Sequence, residues 1–199
     1  PASESRYDES MKKLLAIVVL GLFLITPSKA DNIRDFQIEG MSIGDSLKNY
    51  MTIKDINSNL AKYYKDNTMS TTFLLLKKSD EYDNLNLSFK TGDENYQILH
   101  IAGFKNYKFE ECIKKATEIN LEFKQLFKNT KNRISKKEKH AADVSGKSIM
   151  QSNYYKFLNG DYSAIQCYNF SKEVNYPSGL KIQLMKKEFF EWLSTKAYK

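Results

Sequence analysis

The stretch AADVSGKS, Ala141 to Ser148, gathers several residue types that could do chemistry. Its end matches the last residues of the G-x-x-x-x-G-K-[ST] phosphate loop. That loop needs its first glycine because the backbone turns sharply there, aiming successive N–H groups at phosphate oxygens. Ala141 stands at that position and no strand signal precedes it, so the match implies no nucleotide. Ser145-Gly146 reads instead as a turn that launches the next strand.

His140, Asp143 and Ser145 are also the residue types of acyl transfer. A triad requires a base bonded to the nucleophile and a third group that orients the base. Three residues this close on one loop rarely meet both demands, and no G-x-S-x-G surrounds Ser145. Turn and capping hydrogen bonds are the simpler use of these side chains. Because loops carry function more often than strands do, His140, Asp143 and Lys147 are the candidate contacts for a polar ligand. The alternative is a small hydrolase using His140, Asp143 and Ser145, which needs His140 within reach of a Ser or Asp. His100 falls in an expected strand and reads as a satisfied core or edge histidine. Two histidines and two cysteines, widely spaced, form no zinc pattern, and no cofactor is implied.

The elements that must position these residues follow from periodicity. IEGMSIGDSLKNYMTIKDINSNLAKYY reads as an arm and two short helices, the first capped by Asp45 or Ser46. Thr52 caps the second, with Asp55 three residues on. TTFLLLKK, NLNLSFK and YQILHIAGF read as a three-stranded meander over 71–104, with Leu85, Leu87 and Phe89 on one face. Phe109, Cys112, Ile113, Ala116, Ile119, Phe123, Leu126 and Phe127 recur at helical steps, predicting a long amphipathic helix over 108–130. KNRISKKEKHAADVSGKS lacks periodicity and reads as an exposed connector. Beyond it, IMQSNYYKF and DYSAIQCYNF flank Asn159-Gly160, a type I′ hairpin signal. LKIQLM points Leu180, Ile182 and Leu184 inward, and KKEFFEWLSTKAY closes as a short helix. The expected fold is α+β: a mainly antiparallel sheet of five to six strands under one long helix, with short terminal helices. Phe89–Asp93 and Phe157–Asp161 share a pattern that suggests the same hairpin in two successive units.

The aromatic and lysine mixtures at 63–65, 103–109 and 153–157 could stack on rings while pairing with anions. Sheet packing explains them equally simply. With 31 Lys and Arg against 24 Asp and Glu, the net charge is +7, which permits a polyanionic or envelope partner. Nearly all of the excess is lysine, since Arg occurs only at Arg6, Arg34 and Arg133.

MKKLLAIVVLGLFLITPSKA, from Met11, has the charged start, apolar run and small-residue cleavage site of a secretory signal. The uncharged run from Leu14 to Ile25 is shorter than the roughly 20 residues that span a bilayer. The expected organisation is an upstream segment (1–10), a signal peptide (11–30), and one α+β domain (31–199) with no transmembrane helix. The expected localisation is periplasmic or secreted, after cleavage following Ala30.

DFQIEGMSIGDSL, HAADVSGKS and the GD…CYNFSKE hairpin resemble small exported proteins of Pelagibacter-type marine alphaproteobacteria. That resemblance implies an exported address and supplies no activity. GMS with two helices and three strands also resembles small outer-membrane assembly lipoproteins. The missing lipobox cysteine and the long C-terminal half depart from that pattern.

Cys112 and Cys167 are the only cysteines, and an exported protein meets an oxidising compartment. One belongs to the helical stripe and the other to a strand face beside Ile165, so both are expected at one helix–sheet interface as a disulfide. Export is checked by intact mass of protein from a bacterial host. The expected species begins at Asp31; a membrane-bound species retaining residues 11–30 would refute cleavage.

Overall fold

The computed structural model describes residues 32–199 apart from 63, 78, 141, 142 and 175. The upstream segment and signal peptide expected over 1–30 therefore lie outside the described residues. The chain is α+β, built on an eight-stranded antiparallel sheet. An N-terminal arm carries β1 (Gln37–Ile38) and β2 (Met41–Ser42), then a 3₁₀ turn Leu47–Asn49 capped by Ser46. Helix α1 (Ile53–Ser58) follows, with Thr52 accepting from the Asp55 amide at its N-cap. The large sheet comprises β3 (Met69–Leu75), β4 (Asn84–Lys90), β5 (His100–Asn106), β6 (Lys131–Ile134), β7 (Glu138–Lys139), β8 (Ile149–Lys156), β9 (Tyr162–Asn169) and β10 (Gly179–Met185). Helices α2 (Phe109–Leu126) and α3 (Lys187–Thr195) follow the two meanders.

The spatial order is β3-β4-β5-β10-β9-β8-β6, with β7 also pairing β8. Two meanders thus meet at β5 and β10, where Ile182 sits opposite Gly103 and Gln183 opposite Ala102. Strand alternation then gives the sheet two faces of different character. One face presents Leu85, Leu87, Ile101, Ile165, Cys167, Leu180 and Leu184 to the main apolar core. The other presents Thr71, Ser88, His100, Gln166 and Gln183, all buried.

On the apolar face α2 lies over β9 and β10. Its buried side chains, Phe109, Cys112, Ala116, Ile119, Asn120 and Phe123, follow helical spacing. The one polar member, Asn120, accepts a hydrogen bond from the Tyr155 hydroxyl at 2.5 Å. Cys112 is bonded to Cys167, with Cα atoms 5.8 Å apart, which fixes the helix to β9 near its first turn. The N-terminal arm serves the other half of this face. The Gly44 amide donates to Ile98 (2.9 Å), that of Leu47 to Tyr96 (3.0 Å), and the Thr72 hydroxyl to Ile56 (2.9 Å). Leu85, Leu87 and Phe89 share their core with Ile38, Met41 and Ile56 as well as with α2.

Three expectations need correction. The sheet has eight strands, not five or six, because the connector read as a loop contributes β6 and β7. Every residue of both strands is exposed, so no inward-outward hydrophobic alternation marked them. Exposed, charged strands are how sheet edges commonly discourage further pairing. The Asn159-Gly160 hairpin is not type I′, since only Gly160 has positive φ (87°) there. The Gly160 amide donates to Phe157 (3.0 Å) and the Phe157 amide to Asp161 (2.9 Å), a wider loop with glycine in the left-handed position. Positive φ at both central residues occurs instead at Glu39 and Gly40, between β1 and β2. The repeat also fails in its suggested form. Gly92 follows the second strand of its meander, whereas Gly160 follows the first.

The cross-link closes a sequence separation of 55 residues. On chain-entropy grounds, replacing both cysteines by serine should cost about 4 kcal/mol in chemical denaturation. A loss below about 1 kcal/mol would mean that the bridge constrains little of the unfolded chain.

Candidate functional site

The loop singled out in the sequence is built around Asp143. Its Oδ2 accepts from the Ser148 amide (2.8 Å), the Ser148 hydroxyl (2.5 Å) and the Ser171 hydroxyl (3.0 Å). Its Oδ1 accepts from the Ser145 amide at 2.9 Å. These donors, led by the side-chain bonds of Ser148 and Ser145, hold the carboxyl well below the usual carboxylate range. The aspartate therefore ties the 140–148 loop to the chain after β9. Ser145 Oγ accepts from the Lys147 amide at 3.3 Å, and Lys147 forms an exposed ion pair with Glu173. Asp143, Ser145 and Lys147 meet, but around a turn. Ala141 and Ala142 lie outside the described residues.

His140 turns the other way, toward the polar face of the sheet. Its ring lies edge-on to Phe170 (centroids 4.9 Å) and to Tyr168 (5.7 Å). Tyr168 and Phe170 are stacked nearly parallel, 5.2 Å apart and inclined by 5°. Tyr176 packs against Phe170 at 5.7 Å. Beside Tyr168 lies Lys181 of β10, half-buried, with its ammonium 5.4 Å from the centre of the Tyr168 ring. Among the described residues no carboxylate pairs with it. Burial with no compensating anion pulls its pKa down from 10.5 to about 8. The positive charge is felt by both histidines, which burial already holds below their ordinary pKa.

Lys181 is positioned by what lies beside it in the sheet. Along the polar face, Thr71 Oγ1 and Ser88 Oγ are 2.7 Å apart, and Ser88 Oγ lies 2.9 Å from His100 Nδ1. His100 Nε2 lies 2.9 Å from Gln183 Oε1, and the Gln183 amide donates to Gln166 Oε1. Gln166 Nε2 in turn donates to Ser152 Oγ and to the Tyr154 hydroxyl, both at 2.9 Å. The Tyr168 hydroxyl donates to Gln166 Oε1 at 2.6 Å. Because Gln183 presents its carbonyl to His100, Nε2 carries the ring proton and Nδ1 accepts from Ser88. Burial lowers the His100 pKa to about 3, so the ring stays neutral and the run keeps one direction.

Helix α3 covers one end of this face, where Phe189 stacks on His100 at 4.5 Å. Its N-terminus is held by Asp161, which accepts from the Lys187 amide (2.9 Å) and pairs with Lys186 (2.8 Å). Lys181 lies four residues before Met185, about 13 Å along the strand from that end. Burial pushes the Tyr168 pKa well above its ordinary value, and charge repulsion from Tyr154, Tyr198 and Tyr64 adds to the shift.

Of the residues singled out in the sequence, His140 borders this cluster, whereas Asp143 and Lys147 belong to the adjoining loop. His100 sits where a satisfied strand histidine was expected. Lys181 was passed over because alternation in LKIQLM assigns it, with Gln183, to the side that water usually occupies. The available signal was the recurrence of His100, Gln166 and Gln183 at outward positions of successive strands. Among the described residues no cluster of His, Cys, Asp and Glu could hold a metal, and no helix is long and apolar enough to cross a membrane. Comparison with family models, curated proteins and solved structures found no match.

A lysine whose folded pKa is lowered binds its proton less tightly in the native than in the unfolded state. Stability from this group therefore rises with pH between about 8 and 10.5. Urea denaturation of the native protein and Lys181→Met should give a stability difference that grows in favour of the native protein from pH 7.5 to 9.5. A difference that is flat or shrinks over that window would place the ammonium in water.

Proposed function

We propose that this is an exported, non-catalytic binding protein that holds a small ligand at the Lys181 cluster on the polar face of its sheet. The observation that carries this reading is a half-buried lysine whose ammonium lies 5.4 Å from the Tyr168 ring, with no carboxylate partner among the described residues. A structural lysine is ordinarily paired or fully solvated, because desolvating a charge is costly. This one has no carboxylate partner among the described residues, and a ligand anion would supply one. The signal-like segment at 11–30 and the Cys112–Cys167 bridge support an oxidising, extracytoplasmic setting. The hydrolase alternative gains no support, because the Asp143 carboxylate is engaged by Ser145, Ser148 and Ser171. The exposed lysines of β6 and β7 suit solubility and edge protection, and a polyanionic envelope partner along that edge remains part of the proposal.

Ligand-observed NMR on the oxidised protein with a panel of small charged and neutral molecules tests the reading. Binders should be lost in Lys181→Met and kept in Lys147→Met, with both variants folded. Binders that survive Lys181→Met unchanged would move the site elsewhere.

A further inference from the structure

We infer that the basic edge of the sheet, Lys128 to Lys139 with Lys156 beside it, is a docking surface for a linear acidic polysaccharide. This rests on the reading of that edge as the place of a polyanionic partner and deepens it; the Lys181 site is not involved. The first observation is the distribution of charge. Lys128, Lys131, Arg133, Lys136, Lys137 and Lys139 stand against one acid, Glu138, a net of +5 in twelve residues where all 199 carry +7. All seven side chains are exposed. Like charges crowded together repel, so the concentration costs stability that an anion would restore.

The second observation is where strand pairing puts these charges. β6 is the last strand in the order, and the segment continues along β8 through Ser135, whose amide donates to Ser152 at 2.7 Å. Lys131 lies directly opposite Lys156, and Arg133 follows two residues on along the same face. Directly opposed side chains have Cβ atoms about 5 Å apart, and like charges there destabilise a sheet. The acids nearest to these two lysines in the chain, Glu138 and Asp161, do not relieve the pair. Glu138 stands opposite Met150, about 20 Å along β8 from Lys156 by strand rise. Asp161 is buried and taken by Lys186. The Lys156 ammonium lies 5.5 Å from the Tyr162 ring, and Lys137 pairs with Glu110 at 3.7 Å. Among the described residues no carboxylate pairs with Lys131, Arg133 or Lys136.

The occupant follows from what the edge lacks. No aromatic residue occurs between Lys128 and Lys139, so a nucleotide base finds no ring of this segment to stack on. Ile134 is the one apolar residue there, whereas a segment that enters a bilayer interface buries a whole apolar face. Five of the six cations are lysines, point charges without the fork that grips a phosphate bidentately. Cations strung along a strand match anions strung along a chain. Carboxylate or sulfate groups on a sugar polymer meet that need without stacking or insertion.

Isothermal titration calorimetry of the full oxidised chain tests this with a heparin oligosaccharide, neutral dextran, a thymidine oligonucleotide and phosphatidylglycerol vesicles. The heparin oligosaccharide should bind at least about tenfold more tightly than each of the others. Its affinity should fall roughly a hundredfold from about 50 to about 200 mM salt, as counterion release by about four neutralised charges requires. Lys131→Gln, Arg133→Gln and Lys136→Gln combined should weaken it at least about tenfold. Lys48→Gln, Lys54→Gln and Lys62→Gln combined, the same change in net charge at exposed sites elsewhere, should leave it within about twofold. If the oligonucleotide or the vesicles bind more tightly and the edge variant loses them, the polysaccharide is wrong while the edge stands as a polyanion surface. If no probe binds, or the two triple variants lose affinity equally, the inference and the polyanion reading of the edge both fall. Should the edge variant fail to fold, backbone amide NMR shifts of the native protein with the oligosaccharide decide. Shifts confined to 128–139 and 149–156 are expected, and shifts centred elsewhere would overturn the inference.

Discussion

The sheet is crossed from β3 to β8 by one buried run of hydrogen bonds: Thr71, Ser88, His100, Gln183, Gln166 and Ser152. Each of these residues is at most 5% exposed. A polar group buried without a partner costs about 1–3 kcal/mol, so the run tolerates few gaps. It also sets strand register. A slip by one residue would carry each polar side chain to the apolar face and each leucine to the polar one. The junction of the two meanders depends on it most, since the His100–Gln183 contact bridges β5 and β10, strands far apart in the chain. Fully satisfied networks of this kind specify one arrangement, whereas apolar contact alone is indifferent to small shifts.

The other layers are arranged around that constraint. On the opposite face the apolar core is closed by α2 and the arm, and the Cys112–Cys167 bridge holds the helix to β9, the strand that also carries Gln166 and Tyr168. On the polar face α3 covers the His100 end, and Asp161 fixes where that helix starts. Lys181 falls beyond the covered end, next to a floor whose donors and acceptors are already spent. Among the described residues no carboxylate pairs with its ammonium, which lies against the Tyr168 ring.

Much of this was legible in the residues. Alternation in NLNLSFK and LKIQLM marks β4 and β10, because one face of each meets an apolar core. The helical stripe from Phe109 to Phe123, with Cys112 within it and Cys167 beside Ile165, was enough to place the disulfide. The edge strands β6 and β7 were not legible, because their side chains are all exposed and leave no periodic trace. The turn at Gly160 was misread because the same dipeptide serves a wider loop when the residues around it, here Phe157 and Asp161, supply the closing bonds. The site was half legible. His140 was noticed for its chemistry, but Lys181 and Gln183 look like ordinary solvent-facing positions until both faces of the sheet are known to be covered.

Replacing Gln183 by leucine tests the dependence on the polar run most directly, with stability read by chemical denaturation. Leucine is similar in size and suits a strand, so the substitution removes little but the two hydrogen bonds. His100 Nε2 and Gln166 Oε1 would each lose their Gln183 partner at a buried position. The account predicts a loss of at least about 1 kcal/mol, the cost of stranding the His100 Nε2 proton, since Gln166 Oε1 keeps the Tyr168 hydroxyl. A Gln183→Leu protein as stable as the native one, or more stable, would contradict it.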